Sequence, residues 1–288
     1  MVLLFALLAG CGAGSSLTKK KADAETYFIA GDYTNALTAY QEIIIVYESN
    51  GNSSECPVYT KAGESAYKTG DPNLAIKYLK NDEGGQYLTE DTYYYLAQSY
   101  SEIDNLSLEL MSLQDYVKNY PKGKYIGETE KQLFLTYVES ENYDPALEMW
   151  PDIRDLNPND TELFEAYFTV NQGLENVDTC MSISNKLLEI DPYNIQALEW
   201  LGKYYYRKAE DRYQKEMKAY DKKKTNKQYR KLLKALDVVT ADFNKSLKYF
   251  KKLYGVDSVP EYANYLSHIY NRLSDKKKAE YYKKIAKG

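Results

Sequence analysis

The chain has 288 residues, of which 44% are hydrophobic and 27% are charged, and its formal net charge is −5. This apolar fraction is that of a folded protein and excludes global disorder, and 15 glycines and 8 prolines are too few for a turn-rich β fold. The charge is divided along the chain, because residues 1–202 hold 13 Lys and Arg against 32 Asp and Glu, whereas residues 203–288 hold 24 against 10.

The first apolar run, Val2–Leu8, has the character of a signal-peptide core. It is too short to span a bilayer, which needs about 20 residues. The run ends in the sequence LAGC, which resembles the bacterial lipoprotein signal known as the lipobox. The resemblance implies that residues 1–10 are removed and that acyl chains on Cys11 hold the protein on a membrane. No Lys or Arg precedes the run, which departs from the lipoprotein pattern and leaves open whether Met1 is the natural start.

The segment after this cysteine is predicted to be a flexible tether over residues 11–22, because it begins with the small residues GAGSS. In Gram-negative lipoproteins an Asp directly after the cysteine favours inner-membrane retention, and Gly12 here implies the outer membrane instead. Surface-export signals of Bacteroidetes lipoproteins carry acidic residues in this region, and Lys19–Lys21 stand there in this chain. The resemblance therefore implies the periplasmic side of the outer membrane.

A helix–turn–helix pattern begins near residue 24 and recurs along the chain. Ala30–Ile44 combines a Gly-Asp break with apolar residues spaced for one face of a helix. Thr69–Leu79 and Glu141–Trp150 repeat the pattern, and Pro158 and Pro192, which end two of the units, lie 34 residues apart. A fixed period of this length is typical of stacked helix pairs.

The repeat resembles the tetratricopeptide repeat (TPR), whose first helix carries Leu-Gly-x-x-Tyr, here Leu201, Gly202 and Tyr205. The TPR second helix places a small residue four positions before a large one. The corresponding pairs are Ala36/Tyr40, Ala75/Leu79, Ala146/Trp150, Cys180/Ser184 and Ser246/Phe250. Glu109 occupies the small position of the third unit, which is the poorest match. The resemblance implies an all-α, right-handed superhelix of about seven units over residues 23–288.

The sixth unit departs from the repeat, because no turn falls where one is expected after Lys203. Helical spacing continues instead, which predicts two over-long helices over residues 203–254 with a turn at Lys222–Asn226. Most of the basic charge lies on this predicted hairpin. Its basic residues are Arg207, Arg212, Lys215, Lys218, Lys222, Lys223, Lys224, Lys227 and Arg230. The hairpin is either a second contact surface or a well-solvated extension.

The residues that most enzymes need are scarce in this chain. His268 is the one histidine, which excludes a metal site with two histidines. No phosphate-binding glycine loop and no Cys-x-x-Cys motif occurs. Cys56 and Cys180 fall in distant units, so we expect no disulfide between them. We predict no catalytic residue, no cofactor, no metal and no nucleic-acid partner.

In the TPR family the first helices line a groove that binds peptides. The resemblance implies that the groove positions here are Glu64, Tyr67, Asp91, Tyr94, Gln98, Glu128, Lys131, Glu162, Glu165, Gln172, Glu199, Lys203, Tyr206, Asn264, His268 and Asn271. The set is acidic in the middle units and contains tyrosines and amides, which suit contact with a peptide. We expect a basic or neutral extended segment in the groove. The alternative is a solvated acidic face without a ligand.

These features together favour a lipid-anchored TPR adaptor of a Gram-negative, Bacteroidetes-like bacterium, acting by protein–protein interaction in a cell-envelope assembly. A first alternative resembles the small TPR lipoprotein of the outer-membrane β-barrel assembly machine. A second alternative, an enzyme or glycan-handling protein, would need a site that the sequence does not offer. The identity of the partner and the oligomeric state stay open.

Overall fold

The computed structural model describes residues 11–82 and 86–287, and the described residues form fourteen α-helices and one short 3₁₀ helix, with no strand. The signal-peptide prediction for residues 1–10 lies outside this range. The α-helices are α1 Cys11–Ile29, α2 Tyr33–Ser49, α3 Tyr59–Lys68, α4 Pro72–Asp82, α5 Glu90–Ser101, α6 Leu106–Asn119, α7 Ile126–Glu139, α8 Tyr143–Leu156, α9 Thr161–Gly173, α10 Val177–Ile190, α11 Ile195–Lys222, α12 Asn226–Val256, α13 Pro260–Arg272 and α14 Lys276–Lys287. None of them is both long enough and apolar enough to cross a bilayer.

Successive helices form pairs, and six of the seven described pairs share one kind of turn. In each of these turns a residue with a left-handed backbone follows the end of the first helix by two or three positions. These residues are Gly31, Gly70, Asp104, Glu141, Glu175 and Ser274. The next residue is Asp or Asn in every case. Where that side chain caps the second helix, as in Asp71 Oδ1 accepting from Leu74 N at 2.9 Å, it satisfies a free helical N–H group.

The small residues of the second helices lie where two helices approach closely, as the repeat pattern predicted. Ala36 and Ala75 are completely buried. A Cβ atom added to Gly202 would stand 3.0 Å from the ring of Phe250. Ser246 Oγ donates a hydrogen bond to the backbone oxygen of Gly202 at 2.8 Å. The small residues therefore make room for the large ones of the neighbouring helix.

In the third unit a glutamate, Glu109, occupies the small-residue position of the second helix. Glu109 is buried, and its Oε1 atom accepts hydrogen bonds from Gln132 Nε2 at 2.8 Å and from Thr136 Oγ1 at 3.1 Å. A carboxylate can replace the small residue here because donors on α7 hydrogen-bond to one of its oxygens.

The chain divides into two compact units, one ending at Ile153 and one beginning at Arg154. We call them the N-terminal unit, with α1 to α7 and most of α8, and the C-terminal unit, with α9 to α14. The division falls within α8, which contains Pro151.

The beginning of α1 differs from the flexible tether predicted over residues 11–22, because the helix begins at Cys11. Leu17 packs against the apolar core of the first pair, and Ala24 is buried in it. Lys21 Nζ donates to Tyr47 Oη of α2 at 2.8 Å. Contacts with α2 therefore order a segment whose composition alone suggested a linker.

The long hairpin predicted over residues 203–254 is confirmed within the C-terminal unit. Helix α11 has 28 residues and α12 has 31, whereas α9 and α13 have 13 each. The turn between the long helices lies at residues 223–225, as predicted. At about 1.5 Å per residue, α11 is about 22 Å and α12 about 27 Å longer than these neighbours.

Cys56 and Cys180 are both buried and carry free thiols, so no disulfide joins them. Burial raises the pKa of both thiols above the usual value. Cys180 fills the small position of α10, as the repeat pattern predicted.

Candidate peptide-binding face

The predicted groove residues all lie at least partly exposed on first helices of their pairs. The N-terminal unit carries Glu64, Tyr67, Asp91, Tyr94, Gln98, Glu128 and Lys131. The C-terminal unit carries Glu162, Glu165, Gln172, Glu199, Lys203, Tyr206, Asn264, His268 and Asn271.

In the N-terminal unit, equivalent positions of α5 and α7 are joined in a ladder of hydrogen bonds. Tyr94 Oη donates to Glu128 Oε1 at 2.9 Å, and Gln98 Nε2 donates to Gln132 Oε1 at 2.6 Å. The residues of each pair lie 34 positions apart, which is one repeat. The predicted residues of α5 and α7 therefore come together on one face of this unit.

A cluster of tyrosines covers the middle of this face. The rings of Tyr94 and Tyr125 stack with centroids 3.9 Å apart and planes 11° from parallel. Tyr95 meets Tyr94 edge to face at 5.2 Å, and Tyr67 lies 5.6 Å from Tyr95. Burial, and hydrogen bonds to carboxylates, raise the pKa of Tyr94 and Tyr95 well above the usual value, so both hydroxyls stay protonated and act as donors.

Three carboxylates border the tyrosines, and a tyrosine hydroxyl donates to each. Tyr95 Oη donates to Glu64 at 2.8 Å and Tyr125 Oη donates to Asp91 at 2.9 Å, while Glu128 accepts from Tyr94. Within the described residues, none of the three carboxylates forms an ion pair with Lys or Arg. The charges of Lys68 and Lys124 offset part of this negative charge without pairing with a carboxylate, so the three carboxylates can still accept a hydrogen-bonding cation from outside the chain.

Glu64 is a partly buried member of this set of carboxylates. Burial raises the pKa of its carboxyl group above the usual value, and the nearby charge of Asp91 raises it further. The hydrogen bond from Tyr95 acts in the opposite direction, because it stabilises the ionised form. The charges of Lys68 and Lys124 also favour the ionised form, and a cation from a ligand would add to their effect.

The loop before α7 holds Tyr125 in its stacked position. Glu90 Oε2 accepts from Lys124 N at 2.7 Å, and Tyr116 Oη accepts from Tyr125 N at 2.8 Å while donating to Glu90 at 3.0 Å. Gly123 lies so close to Glu90 and Tyr116 that a Cβ atom there would clash with both. The face is therefore organised before any ligand arrives.

Tyr125 and Gln132 are site residues that the sequence prediction missed. Tyr125 lies directly before α7 and so falls outside the helical positions that the repeat pattern assigns to the groove. The 34-residue period was the available signal, since Tyr125 follows Asp91 by one repeat and Gln132 follows Gln98 by one repeat.

In the C-terminal unit the predicted charges largely neutralise one another. Lys203 Nζ forms ion pairs with Glu199 at 2.5 Å and with Glu261 at 3.1 Å. Burial lowers the pKa of Lys203, but the hydrogen bonds to the two carboxylates outweigh that effect and raise it above the usual value. Tyr206 Oη contacts His268 Nδ1 at 3.3 Å, and Asn194 Nδ2 donates to Glu165 at 2.5 Å. This face offers less uncompensated charge than the face of the N-terminal unit.

Three predicted residues of the C-terminal unit, Gln172, Glu199 and Lys203, line one shallow open hollow between α9 and α11 together with Trp200. The basic hairpin residues predicted from the sequence are all exposed. Within the described residues, no group of three or more His, Cys, Asp or Glu side chains is arranged to hold a metal ion.

No family model and no curated protein matches the sequence. Several solved structures share its fold. The C-terminal part of a TPR repeat-containing protein from Cytophaga hutchinsonii is 16% identical with a TM-score of 0.55, covering 91% of this chain and 92% of that one. A putative protein binding protein from Bacteroides ovatus is 19% identical with a TM-score of 0.54, covering 76% and 97%.

YrrB, described as a TPR protein with an unusual peptide-binding site, is 17% identical with a TM-score of 0.52 and covers 65% of this chain and 96% of its own. At these identities the likeness concerns the fold. The paired helices, the 34-residue ladder and these solved structures together show that the chain has the tetratricopeptide repeat fold.

Proposed function

We propose that the chain is a protein-interaction scaffold that binds an extended segment of a partner on the first-helix face of its N-terminal unit. The observation that carries the proposal is the arrangement of Glu64, Asp91 and Glu128 around the stacked rings of Tyr94 and Tyr125. None of these carboxylates is in an ion pair within the described part of the chain, although Lys124 lies nearby and donates to Tyr125 Oη at 2.7 Å.

The chemistry of this face favours a segment with Lys or Arg side chains. A carboxylate in a half-buried setting gains most from a cation that also donates hydrogen bonds. The tyrosine rings offer rigid, partly apolar area, which a peptide covers at little cost in side-chain entropy. Gln98 has an amide beside this cluster that can bond to a peptide backbone. The likeness to YrrB, whose description includes a peptide-binding site, supports the same kind of ligand.

Attachment to the outer membrane through Cys11, facing the periplasm, is part of the proposal and rests on the LAGC sequence and the residues after it. It would place the scaffold in a cell-envelope assembly. Incorporation of labelled palmitate in cells tests the anchor, because a Cys11→Ala chain should lose the label and leave the membrane fraction. Label retained in the Cys11→Ala chain would contradict it.

Selection from a phage-displayed library of random peptides tests the binding proposal. The bait is the full chain with Cys11→Ala, and the counter-selection uses the same chain with Glu64→Gln, Tyr125→Ala and Glu128→Gln. We expect the selected peptides to be enriched in Lys and Arg and to bind the counter-selection chain weakly. Peptides that bind both chains equally, or no enrichment at all, would contradict the proposal.

A further inference from the structure

The far half of the α11–α12 hairpin carries an unusual density of positive charge. From Lys215 to Lys234 the sequence contains nine Lys and Arg against two acidic residues, Glu216 and Asp221. Within the described residues, the one ion pair of this segment joins Lys224 to Asp221 at 3.9 Å. The other basic side chains of the segment are exposed and uncompensated.

This part of the hairpin stands apart from the rest of the C-terminal unit. Tyr213 and Val239 still pack against the core of that unit, and Arg272 of α13 lies 4.2 Å from the ring centre of Tyr213. Between residues 214 and 238, the hydrogen bonds, ion pairs and ring contacts of the described chain all lie within the hairpin, such as Tyr220 against Tyr229. The basic segment is therefore free to meet an external surface.

Apolar side chains are exposed among the basic ones. Tyr229 is 47% exposed and Leu233 is 45% exposed, and both lie on one side of α12, four residues apart. Arg230 and Lys234 follow them on the adjoining side of the same helix, one position further along the chain. Such a helix, with an apolar strip bordered by Lys and Arg, is typical of segments that lie in a membrane interface.

We propose that the end of this hairpin docks on an anionic lipid surface. Its Lys and Arg side chains would contact lipid phosphates, and Leu233 and Tyr229 would enter the boundary between headgroups and acyl chains. An acidic protein surface or a nucleic acid would satisfy the charges but would leave Leu233 without a partner. Single-stranded nucleic acid would use Tyr229 for stacking and would likewise leave Leu233 without a partner.

Vesicle co-sedimentation of the full chain with Cys11→Ala tests this docking without a contribution from acyl chains. We expect binding to phosphatidylcholine vesicles that contain phosphatidylglycerol, little binding to phosphatidylcholine alone, and weaker binding as salt is added. Each basic residue near an anionic surface contributes about fivefold to the partition coefficient. Replacing Lys222, Lys223 and Lys227 together with Gln should therefore lower it about 100-fold.

A matched control removes the same charge elsewhere on the C-terminal unit. Lys276, Lys277 and Lys284 are exposed residues of α14, and their joint replacement by Gln should leave binding nearly unchanged. For the apolar contact, Leu233→Ser should weaken binding about tenfold, whereas Leu174→Ser, at a residue that is 42% exposed, should not. Helix content measured by circular dichroism confirms that each variant is folded.

Equal loss of binding in the hairpin and α14 variants would overturn the proposal, because net charge alone would then explain the attraction. Failure to bind anionic vesicles would overturn it as well. Binding of a single-stranded oligonucleotide that depends on Lys222, Lys223 and Lys227, without vesicle binding, would assign the hairpin to nucleic acid instead.

Discussion

Tyr94 and Tyr125 stack face to face at 3.9 Å, and each donates its hydroxyl hydrogen to a carboxylate one repeat away from it. One tyrosine comes from the middle of a helix and the other from the loop before the next first helix. The stack thus joins two repeats and fixes the distance between Asp91 and Glu128.

Replacing Tyr125 tests the role of the stack in binding. Tyr125→Ala removes the ring, and we expect it to weaken binding of a selected basic peptide by a factor of ten or more. Tyr125→Phe retains the ring and loses the hydrogen bond to Asp91, so the expected loss is about fivefold, the effect of about 1 kcal/mol. Fluorescence anisotropy with a labelled peptide measures both. Wild-type affinity in the Tyr125→Ala chain would exclude the stack from the site.

A side chain at Gly123 should disturb the loop that carries Tyr125. Gly123→Ala forces a methyl group against Glu90 and Tyr116, and we expect it to lower the free energy of unfolding by about 1–3 kcal/mol. Gly127→Ala is the matched control, because the space around Gly127 is open and alanine favours a helix. Urea unfolding should show loss of stability in the first variant and none in the second. Similar losses in both would contradict the close contact.

For Glu109→Ala, the repeat consensus and the packing in this structure predict opposite changes in stability. The TPR pattern prefers a small residue at this position, so Glu109→Ala would stabilise the chain if consensus alone decided. The structure predicts the opposite, because Gln132 Nε2 would lose its carboxylate acceptor, whereas Thr136 Oγ1 can still donate to the backbone oxygen of Gln132. We expect a loss of about 1–3 kcal/mol in urea unfolding. A more stable Glu109→Ala chain would show that the buried carboxylate contributes nothing.

The raised pKa of Glu64 makes stability depend on pH in a defined direction. Between the ordinary value of 4.5 and the raised value, the folded chain binds a proton that the unfolded chain does not. The contribution of Glu64 to the unfolding free energy therefore falls as pH rises through this window. In the Glu64→Gln chain this contribution to the unfolding free energy is absent. The unfolding free energy of the variant, relative to that of the wild type, should therefore increase with pH across the window and then level off. A relative stability that decreases across the same window would contradict the assignment.

Much of the fold follows from local sequence rules. The Gly-Asp turns at Gly31 and Gly70 were visible because glycine enters the left-handed region without strain. Asp104, Glu141, Glu175 and Ser274 adopt the same backbone with no such signal. An Asp or Asn follows each of them, and where it caps the next helix its hydrogen bond helps to offset the strain. The long hairpin was predictable because helical spacing continued where the other units turn.

The site was predicted only in part, because two of its components depend on tertiary contacts. The helical positions of Tyr94, Gln98 and Glu128 follow from the repeat register. Tyr125 belongs to a loop that is positioned by hydrogen bonds to Glu90 and Tyr116. These tertiary hydrogen bonds cannot be predicted from residue spacing. The order at the beginning of α1 likewise comes from contact with α2, as in the bond from Lys21 to Tyr47.

In-cell photo-crosslinking tests most directly whether the face of the N-terminal unit binds a protein segment. A photoreactive residue at Gln98 lies on this face, and one at Met111, which is 57% exposed on the second helix of the same pair, is the control. The proposal predicts a discrete crosslinked partner at Gln98, attached through a segment rich in Lys or Arg and lost when Tyr125→Ala is added, and none at Met111. Equal crosslinking at the two positions, or a partner at Gln98 that persists with Tyr125→Ala, would contradict it.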